Sequence, residues 1–169
     1  MALKLELDIS RCCACGACAV ACMDQNDTDL STGVRPFRMV FRQETRHLGL
    51  IEYYSMSCMH CDNAPCVTAC PSGCLYKDEE TGLTLFDTKY CIGCHSCAMA
   101  CPFGAPTFGP DNKMRKCDGC INRIRAGLLP ACVKGCTFDA LKLVHTEDEQ
   151  LPFERSIVAQ CAVLSESQK

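Results

Sequence analysis

Residues 91–102, Cys91-Ile92-Gly93-Cys94-His95-Ser96-Cys97-Ala98-Met99-Ala100-Cys101-Pro102, read C-x2-C-x2-C-x3-C-P. Three cysteines fall within seven residues, a fourth follows about one helical turn on, and a proline closes the run. The pattern recurs along the chain. Cys12, Cys15, Cys18 and Cys22 repeat the spacing without the proline. Cys58, Cys61, Cys66 and Cys70 widen it to C-x2-C-x4-C-x3-C, before Pro71. Cys117, Cys120, Cys132 and Cys136 stretch it to C-x2-C-x11-C-x3-C, before Thr137. Most of the 19 cysteines in this 169-residue chain therefore belong to four groups of four, an internal repeat with altered spacers.

The hydrophobic fraction of 48% includes those cysteines. Without them the apolar content is thin for a chain that must bury a core, so bound metal is expected to hold the fold. Disulfides are not expected: the cysteine count is odd, and Met1-Ala2-Leu3-Lys4-Leu5-Glu6 does not read as a secretory signal. The expected compartment is the cytoplasm. The longest apolar stretches fall far short of the roughly 18–20 residues that span a bilayer, so no membrane insertion is expected. A net charge of −3 and a pI of 5.8 give no support to a nucleic-acid role.

A C-x2-C-x2-C loop presents three thiolates around one corner of an iron–sulfur cube. The fourth cysteine of such a run, with proline behind it, serves the neighbouring cube in two-cluster ferredoxins. Cys70-Pro71 and Cys101-Pro102 carry that signature. The expected ligand sets are Cys58, Cys61, Cys66 with Cys101, and Cys91, Cys94, Cys97 with Cys70. By exclusion, Cys12, Cys15, Cys18 share a cluster with Cys136, and Cys117, Cys120, Cys132 share one with Cys22. The competing metal is zinc, which takes separated C-x2-C pairs. The fourth group, read alone, suits it; in the company of the others, four [4Fe–4S] clusters are expected. Cys13, Cys74 and Cys161 are left over and read as small buried apolar side chains. His60 and His95 lie inside cysteine motifs, but no thiol is missing, so they read as facing solvent or a partner. Residues 113–142 are basic, with Lys113, Arg115, Lys116, Arg123, Arg125, Lys134 and Lys142 against Asp118 and Asp139. They read either as a solvated face or as compensation for cluster charge near the fourth motif.

The fold class expected is α+β: two nested bacterial-ferredoxin-like units with pseudo-twofold symmetry, short hairpins and short helices around the clusters. Leu3–Asp8 alternates as a strand before the first group, and Ala140–Val144 follows the fourth. Phe37–Phe41 and Leu50–Tyr54 read as strands of a hairpin through 46–49. Leu75-Tyr76 and Leu83–Phe86 flank an acidic turn, and residues 103–110 form a Gly- and Pro-rich loop. Residues 58–104 form the inner unit, 1–57 and 105–146 the outer one with its linking hairpin, and 147–169 a C-terminal extension. Phe153–Leu164 in that extension reads as a helix that docks on a partner or on a second copy.

No phosphate loop, Ser–His–Asp arrangement or H-E-x-x-H motif appears. Fully Cys-ligated clusters favour electron transfer over chemistry at iron. With Ser55-Met56-Ser57-Cys58-Met59-His60-Cys61-Asp62-Asn63-Ala64-Pro65-Cys66 and Cys91-Ile92-Gly93-Cys94, the chain resembles the four-cluster electron-transfer (beta or polyferredoxin-like) subunits of molybdenum and tungsten oxidoreductases. The resemblance covers roughly residues 3–145. It departs at Thr137, where family members often have proline. By size the chain looks most like the short members that serve tungsten aldehyde oxidoreductases and benzoyl-CoA reductases. The resemblance implies the same crossed ligation, no catalysis by the chain itself, a Mo- or W-containing catalytic subunit as one partner and a further redox subunit or carrier as the other. Self-association is possible under this reading. The alternatives are a free-standing polyferredoxin, a scaffold whose clusters only hold the fold, and an enzyme acting at a labile cluster.

Overall fold

The computed structural model describes residues 2–45 and 49–145. Its strands are β1 (Leu3–Leu7), β2 (Met39–Thr45), β3 (Leu50–Met56), β4 (Leu75–Lys77), β5 (Thr84–Phe86), β6 (Thr107–Phe108), β7 (Met114–Arg115) and β8 (Leu141–His145). Its helices are α1 (Ala17–Gln25), α2 (Pro65–Thr68), α3 (Ser96–Ala100), α4 (Ile121–Arg125) and α5 (Ala131–Lys134). Short helices beside small hairpins make it α+β. The strands form four separate antiparallel pairs: β1 with β8, β2 with β3, β4 with β5, and β6 with β7.

The alternation of Leu3, Leu5 and Leu7 with Lys4 and Glu6 makes β1 two-faced. It pairs with the far end of the described residues, Leu5 opposite Leu143 and Leu7 opposite Leu141. The two ends thus close a hairpin without a turn. The strand after the fourth cysteine group (β8) pairs with the strand before the first (β1), as the strand after the second (β4) pairs with the strand before the third (β5).

Local geometry repeats in the same way. Before Cys12 and before Cys91 stands one turn of 3-10 helix, headed by Asp8 and Asp87, whose carboxylates accept the N–H of Ser10 and Lys89. Gly16 and His95 then turn left-handed (φ 79° and 63°) and open α1 and α3. The second and fourth groups are built otherwise. Their left-handed residues include His60 (φ 48°) and Gly119 (φ 72°). Pro65 then starts α2, and Pro130 stands immediately before α5.

Apolar packing is divided among three small cores, two of which contain thiols. The third joins Leu83, Leu85 and Ile121, with Leu3 and Ile124 against them. It ties β1, β5 and α4 together. Leu83 is fully buried, and a Cβ on Gly119 would lie 2.7 Å from its Cδ1. Gly119 is therefore fixed by its positive φ and by the close approach of Leu83.

Three sequence expectations change. The strand expected from Phe37 begins at Met39, and Arg38 turns into the interior, 3% exposed. Both strands of that hairpin run longer, to Thr45 and Met56. The loop expected over 103–110 contains β6, paired with β7, which proline-rich flanks conceal from pattern reading. The connection through 46–48, His47, Cys161 and the whole 147–169 extension lie outside the described residues.

Candidate metal centres

The thiols of different cysteine groups lie close to one another. Cys12, Cys15, Cys18 and Cys136 line one cavity together with the leftover Cys13, walled by Leu7 and Phe138. Cys70, Cys91, Cys94 and Cys97 line another, with the leftover Cys74 beside them. Cys22 has Cys117, Cys132 and Cys120 as charge neighbours. Cys66 has Cys101, and Cys58 has Cys66 and Cys117; Cys61 packs in the same core as Cys66. Among the described residues no three His, Cys, Asp or Glu side chains converge on a point that would hold a single metal ion.

Burial pushes several of these thiols up. Cys22 stands at about 12, through burial and then its neighbours Cys117 and Cys132, with Arg38 opposing. Cys58 stands at about 11, raised by burial and opposed chiefly by Lys116. Cys97 and Cys120 also stand at about 11, with burial the main cause. Cys94 goes the other way, lowered by the Ser96 hydroxyl. Buried thiols that hold their protons so firmly need a strong local positive charge to become thiolates. A metal core supplies it, and binding then releases protons.

The surroundings are built for anionic sulfur. Backbone N–H groups donate to thiol sulfurs: Met114 to Cys91 (3.3 Å), Ala105 to Cys101 (3.4 Å) and Gly119 to Cys117 (3.4 Å). Cations hold the loops from behind. Lys77 Nζ donates to the carbonyls of His60 and Cys61, and Lys113 Nζ to that of Cys91. Lys116, 1% exposed, donates to Thr84 O and to Cys117 O. Arg38 donates to Ser55 and Ser57, with Cys132, Cys117, Cys18 and Cys22 as its charge neighbours. Its Nε is buried and has no hydrogen-bond partner among the protein atoms. A buried guanidinium turned toward thiols fits a site that takes an anionic inorganic body.

Several sequence readings are corrected here. His60 faces neither solvent nor partner: it is 3% exposed, its ring turned inward on a left-handed backbone. Thr84 N–H donates to its Nδ1 at 3.1 Å, and its Nε2 lies 3.7 Å from Cys117 Sγ. Burial, then the charges of Lys116, Lys77 and Arg38, hold its pKa well below the usual histidine value. His95 does lie at the surface, stacked on Phe108 and bonded to Asn112. Cys13 is exposed rather than buried, whereas Cys74 is 2% exposed. Lys116, counted in the basic segment, is not on a solvated face. Its charge acts on Cys58 and Cys66 of the second group, and the guanidinium among the fourth group's thiols comes from Arg38. The only sequence signal for Arg38 is a lone charge in the apolar run Phe37–Phe41; for Lys116 it is adjacency to a ligand.

Fold and site together define an iron–sulfur protein. The chain belongs to the 4Fe-4S dicluster domain family, which matches residues 50–146. It is 40% identical over 146 residues to a subunit of the anaerobic dimethyl sulfoxide reductase of Escherichia coli K12, covering 80% of this chain and 69% of that subunit. It is 38% identical to the thiosulfate reductase electron transfer subunit PhsB of Salmonella typhi, over 85% and 76%. It is 33% identical to the iron–sulfur subunit of the nitrate-inducible formate dehydrogenase of Escherichia coli K12, over 90% and 57%. The cofactors are four [4Fe–4S] clusters, and the protein is an electron-transfer subunit, not a catalyst by itself.

Proposed function

We propose that the protein relays single electrons between a molybdenum- or tungsten-cofactor catalytic subunit and a second redox subunit or carrier. When bound, each cluster takes up and gives up one electron. The chain's own residues hold the thiolates, bury them and set the charge around them. The ligand sets proposed are the crossed ones: Cys12, Cys15, Cys18, Cys136; Cys117, Cys120, Cys132, Cys22; Cys58, Cys61, Cys66, Cys101; and Cys91, Cys94, Cys97, Cys70. The observation that carries this reading is the succession of neighbourhoods. Cys132 of the fourth group has Cys18 of the first as a charge neighbour. Cys58 of the second has Cys117 of the fourth. Cys66 shares a core with Cys91 and Cys97. A series of four sites with exposed thiols, Cys15 and Cys94, toward its two ends suits a wire entered at one end and left at the other.

The nested arrangement is part of the proposal, supported by the matched strand pairings: 58–104 as the inner ferredoxin-like unit, 1–57 with 105–146 as the outer one, related by a pseudo-twofold axis. The relatives' names speak for a reductase or formate dehydrogenase type of catalytic partner; an aldehyde oxidoreductase-like tungsten partner is the finer alternative. Cytoplasmic placement and docking through 147–169 complete the reading.

The test is anaerobic purification from the native host with partners attached, counting iron, molybdenum, tungsten and zinc per chain. About sixteen irons, with molybdenum or tungsten in fixed proportion, are expected. The same iron without either metal would point instead to a free-standing polyferredoxin, and zinc in place of iron would overturn the ligand assignment.

A further inference from the structure

The ring of His60 is fixed at both ends. A backbone N–H can only donate, so the Thr84 N–H at 3.1 Å makes Nδ1 the acceptor, without a proton of its own. The proton of the neutral ring is then on Nε2, and Nε2 is the atom 3.7 Å from Cys117 Sγ. A metal-bound thiolate can only accept. Donor and acceptor are therefore complementary, and the tautomer follows from the fold rather than from choice. Thr84 is 1% exposed, and its carbonyl also receives Lys116 Nζ. One residue of β5 thus orients both groups that reach this spot.

The contact crosses between two cysteine groups. His60 stands between Cys58 and Cys61 of the second group, and Cys117 opens the fourth. We infer that His60 is a positioning residue for electron transfer: its Nε2–H donates to Cys117 Sγ, stabilises the reduced state of the cluster Cys117 holds, and links that cluster to the one held by Cys58 and Cys61. The inference rests on the proposed ligation only in that Cys117 serves one cluster and Cys58 and Cys61 another. A hydrogen bond to a ligand sulfur withdraws charge from it, and reduction adds charge, so the bond favours the reduced form and raises the potential.

The test is an EPR-monitored redox titration of the complex purified anaerobically with its partners, for the wild type, His60→Asn and His60→Gln. Asparagine tolerates the left-handed backbone at φ 48°. Its amide reaches the Nδ1 position, so the Thr84 bond is kept and the Cys117 bond is lost. Glutamine carries an amide N–H to the Nε2 position. The midpoint of one cluster is expected to fall in His60→Asn, with each tenfold loss in its reduction equilibrium reading as 59 mV, and to recover in His60→Gln. The signal that moves is expected to be the one altered by Cys117→Ser.

Unchanged midpoints in a fully iron-loaded His60→Asn protein overturn the inference. So does a shift in a signal that Cys117→Ser leaves alone. If His60→Asn does not assemble, wild-type protein labelled with 15N-histidine decides. A coupling from the imidazole 15N on the cluster that Cys117→Ser alters supports the bond, and its absence overturns it. Failure of the ligation itself shows separately, as a wrong iron or zinc count in the wild type.

Discussion

The first and third cysteine groups each turn one thiol, Cys15 and Cys94, to solvent, while the second and fourth keep all of theirs buried or half-buried. The loops differ accordingly. The first and third have short spacers, and Gly16 or His95 opens their helices. The second and fourth have longer spacers with a proline at the start of the helix. The second and fourth groups also meet the buried polar side chains: Lys116 acts on Cys58 and Cys66, His60 reaches Cys117, and Arg38 acts on Cys132 and Cys117, though also on Cys18 and Cys22 of the first group. Cysteine spacing selects the metal chemistry; inserts and distant strands decide whether a thiol meets a partner or is shut in with fixed charge.

The hardest test of this contrast is removal of the iron. If the enclosed groups were held by packing, they would survive it. The three apolar cores are small, and two of them count thiols as members, so chelation under reducing conditions is expected to unfold the protein. Circular dichroism reads this directly, and an iron-free protein with the spectrum of the loaded one would reverse the conclusion. Next in size is a pair of lysines three residues apart. Lys116→Met leaves two buried carbonyls, Thr84 O and Cys117 O, without their donor, at about 3 kcal/mol. That is roughly 6–12 °C in apparent melting temperature for a chain of this size. Lys113, half-buried on Cys91 O beside an exposed group, is expected to cost about 1 kcal/mol when changed to Met. Equal losses would show that enclosure does not distinguish the groups.

Much of this was legible because it is local. The four groups are read from spacing alone, β1 from its alternation, β8 from its place after the fourth group, and β4 and β5 from the acidic turn they flank. Asp8 and Asp87, each four residues before a ligand, cap their turns as their sequence position allows. What escaped the sequence is long-range. His60 is buried because Thr84, 24 residues on, meets its ring. Lys116 looks like one more charge in a basic stretch until β5 supplies the carbonyl that holds it. Arg38 reads as part of a strand, yet it lies just outside β2 and turns among thiols of the first and fourth groups. Cys13 and Cys74 are alike on paper, and only the fold exposes one and buries the other. Ligand motifs announce themselves; the residues that tune them are set by which segments the fold brings together.

The smallest expected effect lies where the two kinds of region are joined. Asp78, in the turn after β4, accepts the N–H and hydroxyl of Thr81 and pairs with Arg125 of α4 at 3.0 Å. Leu3 N–H donates to Thr81 O in the same turn, so the turn fastens β1 and α4 to the β4–β5 hairpin. The Thr81 hydroxyl, above all, holds the Asp78 carboxyl below its ordinary value, with Arg125 adding to it. A carboxyl lowered by folding contributes stability above its unfolded pKa of about 3.9, and that contribution is lost as pH falls through the folded value. Asp78→Asn removes it at about 1 kcal/mol. Wild type and variant should therefore differ most at pH 5–7 and converge below about pH 4. Clusters decay with acid in both proteins, so the difference in apparent melting temperature, not either value alone, is the quantity to follow. A gap that stays constant down to pH 3 would mean that the turn is held by its backbone bonds, and that the carboxylate adds nothing to the seam between β1, α4 and the hairpin.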